Sequence, residues 1–295
     1  MANYDDLLNN APAEEQETPQ LSKEEYAEMK KAEREEIFAL SDHTAMEVSA
    51  DGDKFQSLLN LQARLDRYSA VNALLVLAQN PNASRLGDFN YWKQKNCSIR
   101  PGQTAISILE PHPYTKDDGS PGTGYNIKKV FDIAQVDTRR YRPPQPPRHS
   151  DRQLLSALVS KAPVTVMGVD DLPGELGAMY NPETDTISVR KGMEFPDTFR
   201  GTAQELAFAD LTTGPDTQAD PHFSAYCASY LLCKKYGVDT KDFSFDDAPG
   251  VFDGMDALDV KGELSQIRDV ADDISGRMAR QLEQQQKAAK NQGAR

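Results

Sequence analysis

The chain has 295 residues, 38% of them hydrophobic, and its 33 Lys and Arg stand against 46 Asp and Glu, a formal net charge of −13. This length accommodates one large or two modest domains with a buried core. No apolar run approaches the ~20 residues of a membrane-spanning helix, and the acidic N-terminus is unlike a secretory signal, so the sequence predicts a cytoplasmic protein with no membrane partner. Three cysteines without a CxxC pair fit a reducing compartment.

The charge is unevenly distributed along the chain. Residues 55–148 hold 13 Lys and Arg against 7 Asp and Glu, whereas residues 1–54 hold 5 against 15 and residues 149–295 hold 15 against 24. A basic, aromatic-bearing block between acidic flanks indicates a surface that binds polyanions, because the local field attracts phosphates. The alternative is a solvated domain of mixed charge with an ordinary core.

The first elements are predicted by their capping residues. Residues 1–21 are acidic and lack a core pattern, so they are predicted to be a disordered leader. Ser22 with Glu25 forms a capping box that starts a helix. Asp51 or Asp53 then caps a second helix, whose apolar positions follow the helical period and predict one buried face.

The third predicted helix, Ala70–Gln79, is capped by Ser69 and is apolar on nearly every side, which predicts a central position. Asn72 and Gln79 are its polar exceptions. They are seven residues apart and therefore project from the same face. Such a pair on a buried helix either satisfies the backbone of a neighbouring element or lines a groove.

The aromatic segment 89–95 follows and contains the only tryptophan of the chain, Trp92, which we expect to be packed. Two strands are then predicted, Thr104–Glu110 and Asn126–Gln135. Because the residues between them are rich in Pro, Gly and Asp, the pair is predicted to be a hairpin with a long, mobile loop over residues 111–124.

Four prolines within residues 143–147 form a stiff, extended spacer, and we place a domain boundary there. The second half alternates between helical and strand patterns. Its predicted elements are a helix from Ser150, a strand Val164–Met167, a hairpin Ala178–Arg190, helices Asp197–Leu211 and Ala219–Tyr236, and a last helix from Leu258 that frays over 276–295.

Part of the basic block carries a set of short motifs in a defined order: Tyr68-Ser69-x-x-Asn72, Gln79-Asn80-Pro81 with Ala83, Phe89-x-x-Trp92, and Gly102 before a strand. In these residues the block resembles the N-terminal single-stranded-DNA-binding domain of ArdC-type antirestriction proteins, which conjugative plasmids and integrative elements carry. The resemblance implies binding of single-stranded DNA, and some members of the family also handle duplex DNA.

The second half resembles the zincin metallopeptidase domain of the same family, whose helix reads H-E-L-x-H-A. In the family the two histidines bind zinc, the glutamate is the general base, and an acid on the next helix is the third ligand. Here the positions read Gln204, Glu205 and Phe208, and residues 221–238 contain no Asp or Glu. A phenyl ring cannot coordinate and an amide is a poor zinc ligand, while His222 alone makes no site. The sequence therefore predicts a pseudo-enzyme without metal, cofactor or catalytic residue.

The sequence as a whole predicts an α+β protein in four parts. They are an acidic leader (1–21), an ArdC-like DNA-binding domain (22–148), a zincin-like pseudo-metallopeptidase domain (149–275) and a frayed helical tail (276–295). Phosphates would be neutralised by cations, and bases would stack on exposed rings such as Tyr91, Tyr114 and Tyr125. The predicted DNA-binding residues are Arg64, Arg67, Asn72, Gln79, Tyr91, Lys93, Lys95, Arg100, Lys128, Lys129, Arg139, Arg140 and Arg142.

Two other functions are compatible with the sequence. The acidic surface would suit a protein-interaction factor that acts on a restriction or conjugation partner, because a net charge of −13 can imitate nucleic acid. An active zinc metallopeptidase ranks third, because both histidine positions are altered. For Tyr91 the alternative to base stacking is a core position beside Trp92.

Overall fold

The computed structural model describes residues 22–139, 141–145, 147–213 and 219–293, with side chains up to residue 288. The mixture of helices and strands confirms the predicted α+β class. The helices are α1 (Lys23–Ser49), α2 (Gly52–Arg64), α3 (Ala70–Gln79), α4 (Phe89–Gln94), α5 (Asp151–Val159), α6 (Phe195–Thr213), α7 (Pro221–Tyr236), α8 (Ala248–Val251) and α9 (Ala257–Gly293). The strands are β1 (Leu86–Gly87), β2 (Ser98–Ile99), β3 (Ile106–Thr115), β4 (Pro121–Asp132), β5 (Val136–Asp137), β6 (Thr165–Val169), β7 (Ala178–Asn181) and β8 (Thr186–Arg190).

Helix α1 begins with the predicted capping box. The Ser22 backbone N–H donates to Glu25 Oε2 at 2.8 Å, and the Glu25 N–H donates to Ser22 Oγ at 3.1 Å. Two N–H groups that a helix start leaves free are thereby satisfied. The chain divides after Glu36 into two compact units, and the features that follow belong to the second. The predicted leader, residues 1–21, lies outside the described residues.

The main core of this second unit combines residues from both sides of position 148. Phe55 of α2 and Phe199 of α6 are completely buried in it. Tyr230 Oη of α7 donates a hydrogen bond to Asn60 Oδ1 of α2 at 2.8 Å. The two predicted domains therefore share a core, and the division of function between them stays a prediction.

Strands β3 and β4 form a longer hairpin than the sequence predicts. They pair from Ile106 with Val130 out to Thr115 with Pro121, so most of the predicted mobile loop is strand. In the sheet order β1-β4-β3, strand β3 lies at an edge. Pro111 is compatible with a strand there, because its missing N–H would point away from β4. The prediction of a long loop was wrong because proline breaks a strand only where a ladder N–H is needed.

Helix α3 provides hydrogen-bond partners for backbone groups of the edge strand β3, at the buried end of that strand. Asn72 Nδ2 donates to Leu109 O at 2.9 Å, and Leu109 N–H donates to Asn72 Oδ1 at 2.8 Å. Two helical turns further along the same face, Gln79 Nε2 donates to Ser107 O at 2.9 Å and its Oε1 accepts from Ser107 N–H at 2.8 Å. The two amides thus act as substitute strand partners, which is the first of the two alternatives predicted for this pair.

We expect Asn72→Ala to destabilise the protein by about 1–3 kcal/mol, because it leaves the Leu109 N–H and C=O without partners inside the protein. Denaturant unfolding of the full chain measures this. Asn72→Ala should bind DNA as the parent does wherever both are folded. A loss of affinity at unchanged stability would return Asn72 to the nucleic-acid interface.

The second sheet has the order β6-β8-β7, with β6 parallel and β7 antiparallel to β8, and helices α6 and α7 follow it. The β7–β8 hairpin was predicted. Helix α7 ends at Gly237, whose φ of 73° is the left-handed conformation that glycine favours. Helix α9 packs into the main core as far as Leu282, beyond the start of the predicted frayed tail. Among the described residues, no helix is long and apolar enough to cross a membrane.

Candidate functional site

A small unit folded around Trp92 presents much of the basic surface. The Asp88 carboxylate caps α4 by accepting the Tyr91 N–H at 2.7 Å. Trp92 is completely buried, and its Nε1–H donates to Phe131 O at 2.9 Å. The rings of Tyr91 and Tyr141 meet the indole edge-on, at centroid distances of 5.0 and 6.0 Å. We call α4, β2, β5 and Tyr141 the Trp92 unit.

Several predicted phosphate ligands project from this unit into solvent. Lys93 lies on α4, Lys95 is its C-cap, Arg100 follows β2, and Arg142 follows Tyr141. Among the described residues none of these four makes a hydrogen bond or ion pair through its cationic group; Lys95 lies 5.8 Å from the centre of the Tyr91 ring. Because such cations need not break an existing pair, they can neutralise phosphate at little cost. We call these four the exposed cations.

Other predicted cations are exposed or already engaged. Arg67 is exposed and unpaired among the described residues, but it lies after α2, outside the Trp92 unit. Arg64 donates to the backbone carbonyls of Pro81 and Ala83, at 2.9 and 3.2 Å, and so fixes the end of α3. The sequence-based prediction assigned Arg64 to the DNA surface, because a backbone carbonyl partner so far along the chain produces no recognisable sequence pattern.

Three further cations of the predicted set already have partners. Lys128 forms ion pairs with Glu110 and Asp88, and its hydrogen bond to Glu110 raises its pKa. Lys129 donates to Ser107 Oγ at 2.8 Å. Arg139 forms an ion pair with Asp137, and the hydrogen bonds that Arg139 donates to this carboxylate lower the pKa of Asp137 to about 2. The last predicted cation, residue 140, lies outside the described residues.

The polar and aromatic residues of the predicted DNA-binding set mainly make contacts that stabilise the fold. The amides of Asn72 and Gln79 are taken by β3, so these two side chains are not available to a nucleic acid. Tyr91 is half-buried: a Cβ placed on Gly87 would lie 2.1 Å from its ring. This contact and the edge-on contact with Trp92 correspond to the core alternative for Tyr91.

Among the described residues of the basic block 55–148, exposed aromatic rings occur at three other positions. Phe89 at the start of α4 is 59% exposed, although it is not among the predicted stacking residues. The signal that would have found it is Asp88, an N-cap that makes the next residue the first of a helix, pointing away from the core. Tyr114 and Tyr125 on the β3–β4 hairpin are 49% and 41% exposed, as a stacking role requires.

Helix α6 carries the altered metal motif under the edge strand β7. The Tyr180 backbone N–H donates to Glu205 Oε2 at 2.8 Å. Among the described residues β7 pairs with β8 alone and is an edge strand. The Tyr180 N–H is directed away from β8, at the unpaired edge of the sheet. Burial raises the pKa of Glu205, outweighing the lowering by the Tyr180 N–H and by nearby His222. Glu205 therefore holds a strand in place, where the family's motif would have a general base.

The groups around Glu205 do not fit a zinc or manganese ion. The ring of Phe208 stacks on His222 with 4.0 Å between centroids, and a phenyl ring cannot coordinate a metal. Gln204 offers only an amide. On α7, burial raises the pKa of Cys227 and raises that of Cys233 to about 12, so neither supplies a thiolate. Among the described residues, no three His, Cys, Asp or Glu are grouped to hold a metal.

We expect Glu205→Gln to be at least as stable as the parent at neutral pH, because glutamine can still accept the Tyr180 N–H and carries no charge to desolvate. A raised pKa in the folded state means that the carboxyl contributes stability below the pKa of the unfolded chain and loses it as pH rises through the folded pKa. The stability of Glu205→Gln should accordingly fall less with rising pH.

Glu205→Ala is the matched control, since it leaves the Tyr180 N–H unpaired at a cost of about 1–3 kcal/mol. Thermal unfolding of both variants between acid and neutral pH measures the effect. Equal stability of Glu205→Ala and the parent would remove Glu205 from the strand-holding role.

The fold is similar to that of the antirestriction protein ArdC from the R388 plasmid. Its metal-free crystal structure is 15% identical to this chain with a TM-score of 0.50, and the match covers 72% of this chain and 86% of that one. Its Mn(II)-bound structure is 14% identical with a TM-score of 0.50, covering 72% and 85%. No family model and no curated protein matches the chain. The predicted ArdC-type resemblance is thus confirmed at the level of the fold.

Proposed function

We propose that this protein binds DNA, mainly single-stranded, through the exposed cations of the Trp92 unit. The observation that carries the proposal is the placement of these four cations, which make no ion pairs within the described part of the chain, on one small unit built around a buried tryptophan. A cationic surface without a helix positioned to read bases favours contacts to the phosphate backbone, so we expect weak sequence preference.

The biological setting that we propose is antirestriction or DNA protection in a conjugative plasmid or integrative element. The support is the similarity in fold to a protein whose name is antirestriction ArdC and whose source is a plasmid. In this proposal the zincin-like half is a non-enzymatic scaffold, because Phe208 and Gln204 occupy the positions of metal ligands.

Binding of the intact protein to labelled single-stranded and duplex oligonucleotides tests the proposal. We expect binding of single strands at low salt, and duplex binding that is weaker or equal. An acidic mimic of nucleic acid would instead leave both oligonucleotides free and bind a restriction or conjugation protein, for which the net charge of −13 is the supporting observation.

The scaffold role predicts that the purified protein carries no stoichiometric zinc. The reason is that Phe208 cannot coordinate and its ring is held against His222. Elemental analysis after dialysis against a mild chelator measures this, together with a peptidase assay in added zinc. Near-equimolar zinc, or hydrolysis that depends on the metal, would contradict the scaffold role.

A further inference from the structure

Two rings lie flat on one face of the outer β3–β4 hairpin. In the strand register Tyr114 faces Gly122, and His112 faces Gly124. A Cβ built on Gly122 would lie 2.7 Å from Tyr114 Cζ, and one built on Gly124 would lie 2.6 Å from His112 Cε1. Each ring therefore occupies the space above a glycine of the partner strand, and only the missing side chain allows it to lie across the backbone.

The outer faces of these rings are available to a ligand. Tyr114 is 49% exposed and His112 is partly exposed. The residues are two apart on one strand, so the rings are side by side at a spacing of about 6.6–6.8 Å. Tyr125 projects from the opposite face and meets Phe38 edge-on at 6.0 Å, which leaves it outside this pair.

The charge of the outer hairpin decides which part of a nucleic acid the rings would contact. Glu110, Lys116, Asp117 and Asp118 give it a net negative charge, so it does not attract phosphates. Planar rings instead offer a π-face to bases, and stacking of this kind tolerates any sequence. Two bases seated on these rings would lie side by side over the sheet, so they could not be stacked on each other as neighbouring bases of a duplex are. Only a single strand can present them.

The ring-bearing face is also continuous with the proposed DNA surface. Lys128 lies on this face and its Nζ is 3.4 Å from Asp88 Oδ2, the residue that caps α4 of the Trp92 unit. We propose that His112 and Tyr114 form a stacking platform for two unpaired bases of a single strand whose phosphates the exposed cations hold. This inference rests on the proposed function and adds to it the part of the substrate that is recognised.

The alternative role of the two rings is purely structural: aromatic residues in sheets also cover glycines of the neighbouring strand. The two roles separate by substitution. Leucine covers Gly122 as well as tyrosine does but has no π-face, whereas phenylalanine keeps the ring and loses the hydroxyl. Stacking therefore ranks Tyr114→Phe with the parent and Tyr114→Leu below it, while a covering role makes the two variants equal.

The experiment measures binding of the intact chain to a fluorescein-labelled oligothymidylate over a salt series, with thermal unfolding of each variant. We expect Tyr114→Leu and His112→Leu each to bind about 5-fold to 100-fold more weakly with an unchanged dependence on salt, because stacking involves no phosphate. Tyr125→Leu, on the opposite face, is the matched control and should bind as the parent does. Gly122→Ala should weaken binding while keeping both rings, since its Cβ forces the Tyr114 ring off the backbone.

Each result bears on the platform separately from the proposed function. If the parent binds the oligothymidylate and Tyr114→Leu binds equally well, the platform is wrong and DNA binding by the cations stands. An effect of Tyr125→Leu as large as that of Tyr114→Leu would also overturn the platform. If the parent does not bind at all at low salt, the proposed function fails and the platform fails with it. Should a leucine variant unfold, Gly122→Ala still separates the two roles, because it displaces the Tyr114 ring without removing it and weakens binding only if the ring stacks on a base.

Discussion

Reversing the charge of all four exposed cations, with Lys93→Glu, Lys95→Glu, Arg100→Glu and Arg142→Glu in the full chain, is expected to weaken binding of single-stranded DNA at least about two hundredfold. The estimate takes a salt slope of about 0.7 per phosphate contact, which at about 0.15 M salt corresponds to about 0.6 log unit for each lost contact. The loss of affinity should be the same for all DNA sequences, because phosphates carry no sequence information. Fluorescence anisotropy with a labelled oligonucleotide measures it.

The control for this variant changes the same number of charges elsewhere. The control reverses four exposed cations of the second half, which lie outside the Trp92 unit: Arg152, Lys234, Arg280 and Lys287. Their reversal alters the net charge of the protein equally, so it should lower affinity only through the long-range field, which salt screens. If both variants lose affinity alike, net charge rather than the Trp92 unit determines binding, and the assignment of the interface is wrong.

Trp92→Ala is expected to destabilise the protein by about 3–5 kcal/mol, the usual cost of removing a large buried aromatic side chain. Trp92 is completely buried, and its indole donates to Phe131 O. Because the exposed cations are held in place by the elements packed on this ring, the variant should also lose affinity for DNA under conditions in which the main core stays folded. Hydrogen exchange and binding measured on the same sample test both effects.

Trp92→Phe separates packing from hydrogen bonding. It retains most of the buried surface but loses the Nε1–H donor, so we expect a smaller loss of stability and nearly full affinity. Trp92→Ala protein that remained folded and bound DNA with the affinity of the parent would show that the Trp92 unit does not position the phosphate contacts.

The parts of the fold that could be predicted are those with local causes. Ser69 caps α3 and Asp51 caps α2, because a side-chain oxygen three residues before a free N–H is visible in the sequence. The outer hairpin was missed for a reason of topology. Whether Pro111 breaks a strand depends on whether the strand lies at an edge, and the neighbours of a strand are not written in its own residues.

The same reason limits what could be predicted of the site. Lys93 and Lys95 are exposed as the sequence indicates, because they flank a buried tryptophan on a short helix. The Arg64 guanidinium donates to backbone carbonyls that follow α3, 17 and 19 residues away, and no pattern of charges in the sequence reveals these bonds. The prediction that the metal ligands are lost rests only on the identities of Gln204 and Phe208, and it stays a prediction. That Glu205 holds the edge of β7 could not be predicted, since this contact spans 25 residues.

The central claim is that single-stranded DNA binds this protein through phosphate contacts to the exposed cations. The most direct test is the affinity of the intact chain for a single-stranded oligonucleotide as a function of salt. Four simultaneous contacts predict a slope of log K against log salt of about −3. A slope near zero, or no measurable binding at low salt, would contradict the claim.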